Sequence, residues 1–228
     1  MQLVIGNKNY SSWSMRPWVL MKGLDMPFEE RCLSFKLGMG AGFGAAVEPI
    51  SPARRVPVLI DEGFAVWDSL AIVEYLHDKF PGHGVWPADP QQRARARSIC
   101  AEMHAGFGAL RSNCPMNIEA LLADDGARIY AGHEAVRRDL ARIEAMWTEA
   151  LATSGGPFLF GSFGAADAFF APVASRIKTY ALPISAAALA YAERVLAAPG
   201  PAAWLADALK EHEFIVEDEP YRKEPGAR

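Results

Sequence analysis

The sequence predicts a small α/β domain followed by an all-α helical domain. Three observations carry this. Strand-like apolar runs alternate with helical spacing only within residues 1–80. Residues 81–90, PGHGVWPADP, hold three prolines and two glycines and read as a linker. Beyond it, apolar residues recur at threes and fours with no strand signal. The expected division is therefore 1–80, a linker at 81–90, and 91–228.

Residues 2–6, QLVIG, form a short apolar run ended by glycine, as a buried strand does. Pro17 is best tolerated in a helix's first turn, where backbone N–H groups lack intrahelical partners. That places the next helix at about Ser14–Leu24, with Ser14 as its cap and residues 7–13 as a loop. FEERCLSF (28–35) alternates enough for a second strand, and residues 38–55 form a glycine-rich connection. Its GMGAGFG (38–44) fits no Gly-x-Gly-x-x-Gly register, so a nucleotide loop is excluded and a mobile loop over an active site is expected. VPVLID (56–61) and FAVWD (64–68) flank Glu62–Gly63, a hairpin signal, and SLAIVEYLHDKF (69–80) is amphipathic. In the second domain, periodicity predicts one helix over 91–113 and one over 127–151, where Trp147 is a core residue. Shorter helices follow near 165–180, 184–198 and 201–212, then a polar, irregular tail. In FGAADAFF (163–170), Gly164 is an acceptable helix N-cap three residues before Asp167.

With 51% hydrophobic residues the chain can build a sizeable core. The net charge of −4 argues against a nucleic-acid surface. No apolar run approaches the ~20 residues of a membrane span. The N-terminus lacks a basic region followed by a long apolar one, so no signal peptide is expected. Cys32, Cys100 and Cys114 are odd in number and scattered, which fits reduced thiols and a cytoplasmic location. His77, His83, His104, His133 and His212 show no metal-ligand spacing, and no metal is expected.

The chemistry concentrates in two stretches. Val56–Pro57 opens a strand, and a proline there surrenders a ladder donor. A cis bond would turn the Val56 backbone groups toward an extended peptide ligand. Asp68–Ser69 stands at a helix start, where free N–H groups and positive potential suit a carboxylate. Asp68 can meet an ammonium group and Ser69 can donate its hydroxyl, so the pair suits an amino-acid head group. Upstream, SSWS (11–14) crowds three hydroxyls into one turn, any of which could donate to a reacting group.

Together these residues resemble the glutathione S-transferase superfamily. The resemblance rests on the order of elements, on VPVL paired with DSLAIVEYL, and on the linker and helical second half; it covers essentially the whole chain. SSWS…R is most similar to the SSCS…R loop of the zeta-type class, which includes maleylacetoacetate isomerases. The resemblance implies a thioredoxin-like N-terminal domain and glutathione as cosubstrate. Asp68 and Ser69 would hold its γ-glutamyl group and the Val56–Pro57 backbone its cysteinyl unit. Arg55 and Lys36 either reach its glycyl carboxylate or are solvated surface residues. The catalytic serine falls at Ser11, with Ser12 as its rival. The class has a cysteine where Trp13 stands, and the indole is expected to wall the electrophile pocket instead. Phe107, Arg111 and Met116 fall in the region that lines that pocket or packs between domains. Arg16 braces the active loop or the domain interface. The resemblance further implies a homodimer through helices 69–80 and 91–113. Possible outcomes are conjugation to a small hydrophobic electrophile, thiol-dependent isomerisation or peroxide reduction. The rival class is a docking module that has lost thiol chemistry; such a chain would be expected to lose Asp68–Ser69 or the loop hydroxyls, and this one keeps both.

Overall fold

A computed structural model describes residues 1–38 and 41–224. The chain opens with β1 (Gln2–Gly6), α1 (Ser12–Gly23) and β2 (Glu29–Leu33), with β2 parallel to β1. A single 3-10 turn at Phe35–Leu37 and helix α2 (Ala41–Val47) follow, then β3 (Val58–Asp61), β4 (Phe64–Val66) and α3 (Ser69–Lys79). The sheet order is β2-β1-β3-β4, with β3 antiparallel to both its neighbours. Glu62 and Gly63 both take positive φ, 49° and 85°, the geometry that matches the twist of a two-residue hairpin.

Successive residues of β1 face opposite sides of the sheet, and all but Gln2 are buried. Leu3 and Ile5 join the main core beneath α1 and α3, whereas Val4 packs with Phe43, Val47 and Val58 on the far face. That far face needs a cover. The glycine-rich stretch, expected as a mobile loop over an active site, supplies it instead, because residues 41–47 fold as α2 and pack Phe43 and Val47 on the sheet. Residues 39 and 40 of the expected loop lie outside the described residues.

Helix α1 begins at Ser12, two residues earlier than expected, and Pro17 sits in its second turn. The missing Pro17 N–H forfeits one bond, but every residue from Ser14 to Met21 is buried, and that burial outweighs it. Ser14 is therefore not the cap. It lies inside the first turn, where its Oγ accepts from the Gly6 N–H at 3.2 Å.

The linker is pinned by buried Val85 and Trp86. Seven helices follow: α4 (Pro90–Ala105), α5 (Gly108–Asn113), α6 (Ala123–Gly132), α7 (Glu134–Ser154), α8 (Ala165–Tyr180), α9 (Ala186–Ala197) and α10 (Pro199–Glu211). Both long helices expected from periodicity are broken. The first breaks at Gly106–Phe107, where Phe107 is left-handed (φ 57°) and the Leu110 N–H that opens α5 donates to Asp139 on α7 at 2.9 Å. The second breaks at His133, and Arg137 Nη1 caps the freed Tyr130 and Ala131 carbonyls at 2.6 and 2.8 Å. In both cases side chains satisfy backbone groups that an unbroken helix would have paired. Asp167 keeps its place in the α8 cap and accepts from the Gly164 N–H at 3.0 Å. Helix α8 is buried almost all round, and α1 packs against both it and α10. One hydrophobic core therefore runs through both halves of the chain.

Candidate active site

The strand-to-loop transition after β1 delivers Asn7, Lys8, Asn9 and Tyr10, all of them buried, to the N-terminus of α1. The three serines that follow have different surroundings. Ser11 is buried at the cap position and donates its hydroxyl to Ser14 Oγ at 2.7 Å. Ser12 is half-buried and faces a cleft of about 420 Å³. Tyr10, Trp13 and Phe35 share that wall of the cleft. The same cleft is lined by Arg111, Ser112, Pro115 and Met116 from α5 and the segment after it, Arg176 from α8, and Asp218 from the tail. The hydroxyl of Tyr10 is committed elsewhere: it donates to Glu219 Oε1 at 2.6 Å, and burial with that carboxylate raises its pKa well above the usual phenol value. Tyr10 is thus a poor donor to any cleft ligand.

Trp13 is the centre of a charged stack. The Arg16 guanidinium lies 4.2 Å from its ring and that of Arg111 4.6 Å. His104 meets the ring edge-on at 5.0 Å and places Nε2 3.1 Å from Asp68 Oδ2. Through this chain the start of α3 is joined to the cleft. Arg16 is 1% exposed, and its Nε and Nη1 have no hydrogen-bond partner. Burial, with Arg176 and Arg111 nearby, pushes it down to about 9. Arg176 is pushed down to about 10 by burial and Arg111, and donates to the Cys114 and Pro172 carbonyls at 2.7 and 3.2 Å. Burial also lowers Arg111, which donates weakly to the His104 and Gly106 carbonyls. Among the described residues, none of the three pairs with a carboxylate. At neutral pH the two guanidiniums that line the cleft, Arg111 and Arg176, outnumber its one carboxylate, Asp218, and the net positive charge favours an anion. Burial together with Glu217 and Glu219 raises Asp218 to about 6.

Just ahead of β3, the Val56–Pro57 bond is cis, as a strand-opening proline suggested. Asp68 caps α3 by accepting from the Leu70 N–H at 3.1 Å and leaves its carboxylate exposed. Ser69 is fully buried with an unpartnered hydroxyl. Arg55 and Lys36 are exposed and outside the cleft. Phe107 is buried at the α4–α5 break and does not reach the cleft wall, because its left-handed backbone turns the chain there. The structure thus brings Ser12, Trp13, Arg111 and Met116 together, and joins Asp68 to them through His104.

Sequence reasoning missed His104, Tyr10, Arg176 and the tail residues Asp218 and Glu219. Arg176 carried a signal, a charge that follows the long uncharged run from Ala168 to Ser175 within one helix. The tail carried none. Cys32 is exposed, Cys100 and Cys114 are buried, and all three are free thiols. Among the described residues, no group of three or more His, Cys, Asp or Glu is placed to hold a metal, and no helix is long and apolar enough to cross a membrane.

Residues 10–79 match the family model of the glutathione S-transferase N-terminal domain. Glutathione S-transferase 1 of Dianthus caryophyllus is 28% identical over 174 residues, 75% of each chain. The maleylacetoacetate isomerase of Rattus norvegicus is 32% identical over 101 residues, which is 44% of this chain and less than half, 46%, of the isomerase. Among solved structures, a glutathione transferase homologue from Burkholderia with bound glutathione superposes with a TM-score of 0.68 at 25% identity, covering 91% of this chain and 97% of that one. The domain match places residues 10–79, which carry Ser12, Trp13 and Asp68, in the glutathione S-transferase N-terminal domain family, and a fold shared along almost the whole chain supports membership of the glutathione S-transferase superfamily.

Proposed function

We propose that the chain is a glutathione transferase that ionises the glutathione thiol at Ser12 and presents it to a small electrophile in the cleft. The observation that carries this is Ser12 on the wall of a cleft where two guanidiniums, Arg111 and Arg176, stand with a single carboxylate, Asp218. A free thiol has a pKa of ~8.5 and is mostly protonated at neutral pH. A charge-assisted hydrogen bond of roughly 1.5–3 kcal/mol lowers that by about one to two units. The N-terminus of α1 and the guanidiniums act in the same direction. Ser11 is the weaker candidate because its proton is already given to Ser14. In this reading the γ-glutamyl group meets Asp68 and the unpartnered Ser69 hydroxyl, the cysteinyl unit meets the Val56–Pro57 backbone, and Arg55 or Lys36 serves the glycyl carboxylate. The electrophile lies against Trp13, Arg111 and Met116. The protein acts as a cytoplasmic homodimer, with Phe64 and Trp67, 65% and 41% exposed beside α3, as part of the shared surface.

Ser12→Ala tests the assignment. It is expected to raise the pKa of bound glutathione by about one to two units, read from thiolate absorbance, and to cut turnover while sparing glutathione affinity. Unchanged turnover in Ser12→Ala with a loss in Ser11→Ala would return the role to Ser11. A chain neither retained on immobilised glutathione nor protected by it against heat would instead be a docking module.

Arg111 and Arg176 support a second reading, glutathione-dependent isomerisation of a carboxylate-bearing substrate of the maleylacetoacetate type. Comparing maleylacetone-like substrates with uncharged halogenated aromatics discriminates the two.

A further inference from the structure

We propose that Glu219 is a positioning residue of this reaction: through the Tyr10 hydroxyl it holds the turn carrying Ser12 at a fixed distance from the electrophile wall. The inference rests on the function proposed above and concerns a part of the chain that lies outside both binding motifs.

Glu219 is buried, and its carboxylate is a junction of three segments. From the loop before α1 it accepts the Tyr10 hydroxyl at 2.6 Å. From the segment after α5 it accepts Asn117 Nδ2 at 2.8 Å. From the tail it accepts Arg222 Nε at 2.8 Å, with Arg222 Nη2 as a second donor. The first two segments both line the cleft: Tyr10 adjoins Ser12 and Trp13, and Asn117 follows Pro115 and Met116. A second bridge runs parallel to the first. Asn9 Oδ1 accepts from the Ile118 and Glu119 N–H groups at 2.8 and 2.9 Å, and Asn9 Nδ2 donates to Asn117 Oδ1 at 3.1 Å. Both segments therefore converge on one carboxylate.

The rest of the loop has its own anchors. Glu211 accepts from the Lys8 and Asn9 N–H groups at 2.7 and 3.0 Å, and Glu213 accepts from Asn7 Nδ2 at 2.9 Å. Losing the Tyr10–Glu219 bond should therefore shift the loop and leave it folded. The groups proposed to hold glutathione, Asp68, Ser69 and Val56–Pro57, belong to other elements. A misplacement of about 1 Å between reacting groups costs on the order of a hundredfold in rate. The expected signature is a loss in kcat without a matching loss of glutathione affinity.

The test uses the full chain with Tyr10→Phe, Glu219→Gln and the double variant, assayed with 1-chloro-2,4-dinitrobenzene alongside calorimetric glutathione binding. Tyr10→Phe removes one hydroxyl and serves even where Glu219→Gln fails to fold. Each single change should lower kcat roughly 10- to 100-fold with glutathione Kd altered less than about twofold. The double variant should lose less than the product of the two single losses, because both changes act on the Tyr10–Glu219 bond, while Tyr10→Phe also removes the hydroxyl's 2.9 Å bond to the Glu213 carbonyl and Glu219→Gln also weakens the bonds from Asn117 and Arg222. Unchanged kcat, multiplicative effects, or glutathione affinity falling in step with kcat would each overturn the proposal. A wild-type chain that binds no glutathione overturns the proposed function and this inference with it; a wild type that turns over beside equally active variants overturns only the inference.

Discussion

Within the first turn of α1, each side chain is sorted by what it can reach. Ser14 ties the helix to the end of β1, Ser11 is spent on Ser14, and Ser12 is left facing the cleft. One turn further on, Arg16 is held between the faces of Trp13 and Phe169 with its guanidinium unpaired. A buried cation without an anion costs stability that the aromatic faces only partly offset. Arg16→Met should therefore raise stability by roughly 1–3 kcal/mol at neutral pH, about 2–4 °C in Tm per kcal/mol for a chain of this size, while lowering activity. The sign against pH follows from the direction of the shift. The folded-state value, about 9, lies below the ordinary 12.5, so between them the unfolded chain binds more protons and wild-type stability rises with pH. The advantage of Arg16→Met should shrink as pH climbs past about 9. Thermal melts at neutral and alkaline pH decide this; a variant less stable than wild type at neutral pH would show that Arg16 is structural.

At the level of elements, close approach governs what periodicity cannot. A Cβ on Gly200, near the start of α10, would stand 2.1 Å from the Val19 carbonyl oxygen of α1. Helix α10 also carries Asp207, which binds buried Lys8 at 2.8 Å, and Glu211, which binds the same loop. Gly200→Ala should cost roughly 1–3 kcal/mol by forcing the two helices apart, and should lower turnover more than a destabilised but distant site would. A soluble variant with wild-type melting and turnover would refute the close-packing argument. The same contrast explains what was legible in the sequence. Hydrophobic spacing located the strands, α1, α3 and the helical second half, because burial imposes period on the chain that makes it. Ser12, Trp13, Arg111 and Met116, which line one cleft, were candidates through the family resemblance and not through spacing, and the resemblance put Ser11 ahead of Ser12 because the Ser11–Ser14 contact leaves no mark on the sequence. The breaks at Gly106–Phe107 and His133 were not, since Asp139 and Arg137 satisfy the interrupted backbone from elsewhere. Nor was α2, a glycine-rich segment made helical by the sheet face it covers.

Across the whole molecule, the division at the linker is one of composition more than of cohesion. Helix α1 belongs to the α/β half by chain order, yet it packs against α8 and α10 of the helical half. The tail, polar and irregular, closes the circuit by binding the loop that begins α1 through Glu213 and Glu219. Two halves sharing a core and a set of buried polar junctions should unfold together, because opening either strands the apolar and polar groups of the other. Calorimetry should therefore show one transition and not two. Glutathione, if it binds the folded chain alone, adds about 2.7 kcal/mol at a hundredfold excess over its Kd. For a chain of this size that moves the whole transition upward by roughly 5–10 °C. Binding groups in the first half should thus protect Trp147 in the second as strongly as Trp13. Two transitions, or a shift confined to the lower of them, would show that the α/β half folds and binds on its own, with the tail and α10 only docked against it.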